Sequence, residues 1–330
     1  MRKAISNQRL LVFDCHEAWV YQLHWLDVAM DVVVGLKGRA ATGWDEAMRP
    51  VPPNARLVNL DEVLSSRLPY ACIITHNLSD LLDAKSLGGP RLLVIHASLD
   101  GIVATQPNAP PLDQLRAAVT QYVRLIRAHV IAVSTLKGRT WGFERDIVPF
   151  SADPSDYLPY EGDLAWGLRV ANNISAKAKV LLWDFHRQAF DDLPITLVGH
   201  NDDIPGIAPA RDWAHLKGML SRHRFFVHTA HPRFEDGYNM ATLEAMAAGL
   251  PVLGNCHPSS PITHGVDGFL ADDPAELRAY AIRLLNDRDL AKRMGRAAQD
   301  TVARRFSPQM FKEGIIRAIE RAADLESTGS

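Results

Sequence analysis

Asp236 and Glu244 stand eight residues apart in the run Phe234-Glu235-Asp236-Gly237-Tyr238-Asn239-Met240-Ala241-Thr242-Leu243-Glu244-Ala245-Met246-Ala247-Ala248-Gly249-Leu250-Pro251-Val252. Met240 to Ala248 is rich in Ala, Leu, Met and Glu, all good helix formers; Gly249 is a natural C-terminal cap, and Pro251 opens an apolar run that reads as a strand. One carboxylate therefore falls in a loop and the other in the first turns of a helix, a spacing that can grip a polyhydroxyl ligand. The helix N-terminus directs unpaired amides toward Gly237 to Asn239, which suits a diphosphate or a group of sugar hydroxyls. The plain alternative is an amphipathic helix with a solvated acidic start.

Other chemistries fail on spacing. His16 and His24 lie too far apart for a His-Glu-x-x-His zinc site, Asp202-Asp203 and Asp272-Asp273 are adjacent pairs of the kind loops carry, and neither a Walker motif nor a Gly-x-Gly-x-x-Gly fingerprint occurs.

The elements that must position these residues follow an α/β order. Leu10 to Phe13, Asp31 to Gly35, Ala71 to Thr75, Leu92 to Ile95 and His129 to Val133 read as strands, and Leu112 to Arg127 as an amphipathic helix. Short apolar runs alternating with helices imply a parallel sheet covered on both faces. The Pro- and Asp-rich stretch from Ile147 to Pro159 is a credible linker. A second series begins near Leu164: strands at Leu164 to Val170, Ile195 to Gly199, Arg224 to Thr229 and Pro251 to Gly254, with a helix from about Ala176 to Phe190 and the helix from Met240 to Ala248. Its order is Rossmann-like. Two helices then close the chain, with Leu277, Ala281, Leu284 and Leu285 on one apolar face and Phe306, Met310, Phe311, Ile315 and Ile319 on the other.

Composition narrows the class. At 330 residues and 47% hydrophobic the chain is long enough for two cores, and 36 Lys plus Arg against 38 Asp plus Glu argue against a nucleic-acid partner. Three scattered cysteines, Cys15, Cys72 and Cys256, suit a reducing compartment better than a disulfide framework. Met1-Arg2-Lys3 followed by polar Ser6-Asn7-Gln8-Arg9 does not read as a signal peptide, and no apolar run is long enough to span a bilayer. The expectation is a cytoplasmic protein with at most peripheral membrane contact.

The signature run resembles that of glycosyltransferase family 4, Glu-x7-Glu followed by Ala-Met-Ala-x-Gly-x-Pro-Val, found in retaining enzymes of the GT-B fold. Asp236 stands at the family's first Glu, Gly237 and Tyr238 at its Gly-Phe pair, Asn239 in place of a second Gly, and Glu244 at its second Glu. The Asp keeps the charge but shortens the reach by one methylene, and Glu235 is the neighbour that can take over. Ile147 to Asp153 resembles the family's interdomain segment, and Pro258 to Leu270 its Gly-x-x-Gly-Phe-Leu stretch.

The resemblance implies two Rossmann-like domains facing each other across a cleft: an N-terminal acceptor-side domain over 1–155, a donor-binding domain over 160–305, and a last helix, about 306–325, packed back on the first. It implies a retaining glycosyltransferase that moves a sugar from a nucleotide-diphosphate sugar to an acceptor, a saccharide, a lipid-linked glycan or a small molecule, with no catalytic metal and no cofactor. Glu244 would bind the donor ribose, and Glu235, Gly237, Tyr238, Asn239, Met240 and Gly199 would line the donor site. Asp236 and His96 would act at the sugar, and Lys177 and Arg169 at the diphosphate; His16 and Glu17 would lie on the acceptor side. The family's Arg falls at Asn172 by strict count, which leaves Arg169 as the nearest guanidinium. A nucleotide-sugar epimerase or hydrolase of the same fold, or a donor-binding protein without turnover, is the alternative.

Overall fold

The computed structural model describes residues 9–36, 43–106 and 108–328; the stretch Met1 to Gln8, read above as no signal peptide, lies outside them. Two compact units are formed, one by Met1–Leu99, Pro110–Pro149 and Gln309–Ser330, the other by Asp100–Ala109 and Phe150–Pro308.

The first unit is built on β1 (Arg9–Phe13), β2 (Met30–Val33), β3 (Ala55–Val58), β4 (Tyr70–Thr75), β5 (Arg91–Ile95) and β6 (His129–Ala132), in the sheet order β3-β2-β1-β4-β5-β6. Every neighbouring pair is parallel. The central strands are buried along their length, as a parallel sheet covered on both faces requires. Asn59, Asn77 and Ser134, each just beyond a strand, cap the following helices by accepting from the amides of Glu62, Asp80 and Lys137. The strand-to-helix loops are therefore short and fixed. At the opposite edge of the sheet, Asp31 is fully buried and accepts from Arg9 at 2.8 Å, Arg56 at 3.0 Å and the Tyr70 hydroxyl at 3.0 Å.

The second unit carries β7 (Leu164–Val170), β8 (Ile195–Val198), β9 (His223–Val227), β10 (Val252–Gly254) and β11 (Gly268–Leu270), again all parallel, in the order β11-β10-β9-β7-β8. Phe190, Phe225, Val227, Leu253, Leu277, Ala281 and Leu284 form its core. The last helix, Pro308–Ser327, belongs to the first unit: Phe311 meets Trp19 at 5.8 Å, and Lys312 pairs with Asp27 at 2.9 Å.

Several elements differ from the sequence reading. The helix expected from Ala176 starts only at Trp183, because Leu182 takes a left-handed conformation, φ 49°. The carbonyl of Val180 accepts from the His231 amide and that of Leu181 from Arg169 and Thr229, so neither carries the helix on. Two strands, β3 and β11, and the helices Trp213–Arg222 and Arg288–Arg305 stand where none was assigned. Three helices, not two, therefore end the chain. Phe306 closes the second of them and packs with Tyr238, whereas Met310 is half-exposed rather than on a buried face.

The Arg288–Arg305 helix packs on the signature helix through Gly295, where a β-carbon would overlap the Gly249 carbonyl. Ala stabilises an exposed helix position over Gly by about 1 kcal/mol. Here the sign should reverse: Gly295→Ala should lower stability by about 1–3 kcal/mol, the usual cost of overpacking, measured as a shifted denaturation midpoint. A variant as stable as the parent would refute the contact.

Candidate functional site

In the second unit the signature loop lies at the C-terminal edge of the sheet, following β9. Asn239 caps the Met240–Ala247 helix: its Oδ1 accepts from the Thr242 amide at 2.9 Å, and Thr242 Oγ1 accepts from the Asn239 amide at 3.3 Å. The N-terminus is thus partly satisfied within the chain, and the Thr242 amide is not available to a ligand. Thr242 to Ala247 are all buried, which excludes the amphipathic helix considered above. Glu244, 5% exposed, is a carboxylate set in an otherwise apolar stretch.

Asp236 is 1% exposed. It accepts from the Ser259 hydroxyl at 3.2 Å, and the same hydroxyl oxygen accepts from the Gly237 amide at 3.0 Å and lies 3.1 Å from His257 Nδ1. Glu235, only partly buried, accepts from the Asp236 amide at 2.9 Å. Gly237 is required for a reason other than ligand approach, since a β-carbon there would meet the His257 ring at 2.8 Å. The Tyr238 ring packs 5.4 Å from Phe306, and the residue is buried. Met240 opens the helix and is partly exposed.

His228, at the end of β9, is buried and reaches the Asp236 carbonyl through Nε2 at 3.1 Å. Burial pushes it down to about 4, against the opposing effect of that hydrogen bond, so it is neutral at pH 7 and donates. Ser259, His257 and His228 were not assigned from sequence. Ser259 sits in the Pro258 to Leu270 stretch and His257 immediately before it, but only the fold brings them under the loop.

Arg169 is not at the strand tip but within β7, 2% exposed. Its Nη2 donates to the Leu181 carbonyl at 2.9 Å, its guanidinium lies 5.7 Å from the Trp183 ring, and Nη1 is buried without a hydrogen-bond partner. No carboxylate pairs with it among the described residues, and burial lowers it to about 9. Lys177 is partly exposed in the turns that precede Trp183, and Lys179 lies 4.9 Å from the Phe234 ring. Gly199 directly follows β8 at φ +140°, where a β-carbon would overlap the Ala171 carbonyl.

In the first unit, Asp14, Cys15, His16 and Glu17 follow β1, His76 follows β4 and His96 follows β5. His76 Nδ1 and His96 Nε2 are 2.9 Å apart, and Trp19 meets both rings edge-on at 4.8 and 5.2 Å. Burial first, then the neighbouring imidazoles, holds both well below the ordinary histidine range, His76 at about 3. His96 is therefore a neutral hydrogen-bonding group, not a cation. Asp14 is raised to about 7 by burial and by Glu17 and Asp80. Glu17 accepts weakly from the Asp45 amide at 3.3 Å, and His16 is exposed at the start of the short Glu17–Tyr21 helix.

A histidine held neutral in the folded state, against about 6.5 unfolded, favours folding above that value and loses its contribution as pH falls through the window down to about 4. His228→Gln should therefore show a shallower loss of stability between these limits than the parent, by roughly 3 kcal/mol across the window. Chemical denaturation at several pH values reads this directly; parallel curves would mean that His228 is not the buried neutral group described.

Residues 195–287 match the family described as glycosyl transferases group 1. N-acetyl-alpha-D-glucosaminyl L-malate synthase of Bacillus anthracis is 34% identical over 76 residues, which is 22% of this chain and only 20% of that relative's length. Among solved structures, HepE of Anabaena in complex with UDP and glucose superposes with a TM-score of 0.69 at 15% identity, covering 95% of this chain and 100% of HepE. Sucrose-phosphate synthase of Thermosynechococcus elongatus gives 0.66 at 14% identity, covering 96% and 99%. A glycosyltransferase of Rickettsia africae gives 0.64 at 12%, covering 96% and 98%. Signature and matched segment agree over residues 195–287, which are similar to the glycosyl transferases group 1, and the two parallel α/β sheets have the GT-B fold.

Proposed function

We propose that the protein is a retaining glycosyltransferase that moves a sugar from a nucleoside diphosphate sugar to a hydroxyl acceptor. The bond from the anomeric carbon to the diphosphate breaks, a bond to the acceptor oxygen forms on the same face, and the acceptor's proton leaves with the diphosphate or to solvent. The observation that carries this reading is the buried Glu244 on an otherwise apolar helix beside a loop that holds two further carboxylates. HepE, with the same fold, was solved with UDP and with UDP-glucose, which favours a nucleotide sugar as donor.

Roles follow from burial. Glu244 accepts from the donor ribose, a task suited to a carboxylate that can take a vicinal pair of hydroxyls. Asp236 is committed to Ser259, so Glu235 is the carboxylate we assign to the sugar, with Asp236 positioning the loop from beneath. Met240, the main chain of Tyr238 and Asn239, and the close-packed backbone at Gly237 and Gly199 frame the donor. Arg169, whose buried charge lacks a carboxylate among the described residues, and Lys177 are assigned to the diphosphate. His96 donates to a sugar hydroxyl as a neutral imidazole, and His16 and Glu17 serve the acceptor. No cofactor takes part. Among the described residues no helix is long and apolar enough to cross a membrane, and we place the reaction in the cytoplasm.

Incubation with uridine, guanosine and adenosine diphosphate sugars should release nucleoside diphosphate in an acceptor-dependent manner; release without acceptor would mean a hydrolase, and binding without release a protein that only holds the donor. Glu244→Ala should weaken donor and free nucleoside diphosphate alike by about 1.5–3 kcal/mol, read by calorimetry on the folded variant. Unchanged nucleotide affinity would remove the ribose assignment. Glu235→Gln should lower turnover roughly tenfold or more while sparing nucleotide affinity, for loss of one charge-assisted hydrogen bond. Asp236→Asn should act chiefly on stability. The reverse pattern, a stable but inactive Asp236→Asn beside a fully active Glu235→Gln, would assign the sugar to Asp236.

A further inference from the structure

Three side chains far apart in sequence meet at one point of the first unit. β1, β4 and β5 are consecutive neighbours in its sheet, and just beyond them stand Cys15, His76 and His96. One donor atom from each, the Cys15 sulfur and one ring nitrogen from each histidine, lies within 4.8 Å of the others. Tetrahedral zinc, with bonds of about 2.0–2.1 Å to nitrogen and 2.3 Å to sulfur, needs its donor atoms roughly 3.3–3.6 Å apart. Cys15 is exposed and can rotate toward the imidazoles, while their two nitrogens, 2.9 Å apart, must separate by about 0.4 Å.

The two rings are held by packing independently of their mutual hydrogen bond. Trp19 meets them edge-on at interplanar angles of 77° and 86°, and the His76 amide donates to Asp80 at 3.0 Å. Their 2.9 Å contact holds one proton between two nitrogens, and a cation of suitable softness can replace it. One thiolate and two imidazoles match the donor preference of the zinc class rather than of calcium or magnesium. The charged surroundings are mixed: Glu17 and Asp80 act on Asp14, while Arg49 and Lys137 act on His16.

We propose that Cys15, His76 and His96 form a binding site for a zinc-class divalent cation, with a fourth position open to solvent. Binding shifts the proton shared by the imidazoles to the far nitrogen of the ring that carries it, leaving both rings neutral, and releases the proton of the thiol to solvent. It also engages His96, the residue assigned above to a sugar hydroxyl, so the ion would compete with donor rather than assist transfer; the site itself does not depend on that assignment.

The test uses the full chain, without an affinity tag and stripped of metal, titrated with Co2+ and then displaced by Zn2+. Cobalt bound to a thiolate shows a sulfur-to-metal charge-transfer absorption, a readout separate from activity. One equivalent should bind with that absorption in the parent and in Cys256→Ser, which lacks the other exposed thiol. The absorption should vanish in Cys15→Ser, and affinity should fall more than about a hundredfold in His76→Gln and in His96→Gln, beyond what loss of an outer-shell partner costs. If one histidine variant fails to fold, the other carries the test. Absence of the absorption in the parent, its survival in Cys15→Ser, its loss in Cys256→Ser, or unchanged affinity in a folded histidine variant would each overturn the site.

Discussion

Parallel pairing governs this molecule. Every neighbouring strand pair in both sheets runs the same way, so all C-terminal strand ends of a unit lie on one edge. Each return to the other edge must be made by a crossover, here mostly helical. The side chains that leave the strand ends are thereby collected in space whatever their separation in sequence. Asp14 to Glu17, His76 and His96 converge in the first unit for this reason, and His228, the signature loop and Ser259 in the second. Short loops closed by Asn and Ser caps hold those ends still.

The opposite edge of the first sheet does different work. Asp31 on β2 receives Arg9 from β1, Arg56 from β3 and Tyr70 from β4, so one carboxylate ties four adjacent strands. Burial would raise this group, but the hydrogen bonds from Arg56, Arg9 and Tyr70 outweigh it and leave the carboxyl below its ordinary range. A buried charge of this kind is stable only while all its partners stay in place. It fixes strand register at the end of the sheet remote from the candidate ligands, and the loops at the other end are left to carry polar groups that no strand pairing needs.

What the sequence revealed follows from contiguity. The signature helix and its Gly249 cap were legible because all their determinants lie within about two turns of one another, and the buried strands because apolar runs such as Leu10 to Phe13 have few other readings. β3 was not legible, since Arg56 and Leu57 on it are exposed and it forms the sheet edge. The late start of the Trp183 helix was equally hidden, because it depends on carbonyls that bond to Arg169, Thr229 and His231 across the fold. Spacing rules for metals examine one segment at a time, and Cys15, His76 and His96 share no segment.

The one-methylene difference between Asp and Glu at position 236 acquires a physical meaning from these contacts. The shorter side chain ends at the Ser259 hydroxyl and is sealed at 1% exposure. The same hydroxyl accepts from the Gly237 amide, and His257 packs where a side chain at Gly237 would stand. Asp236, Gly237, His257 and Ser259 therefore form one interlocked turn in which no member can change size alone. Glu235, adjacent and partly exposed, is bonded to the rim of that turn through the Asp236 amide. Of the two carboxylates in the loop, Glu235 is the partly exposed one, and buried Asp236 holds the loop's shape.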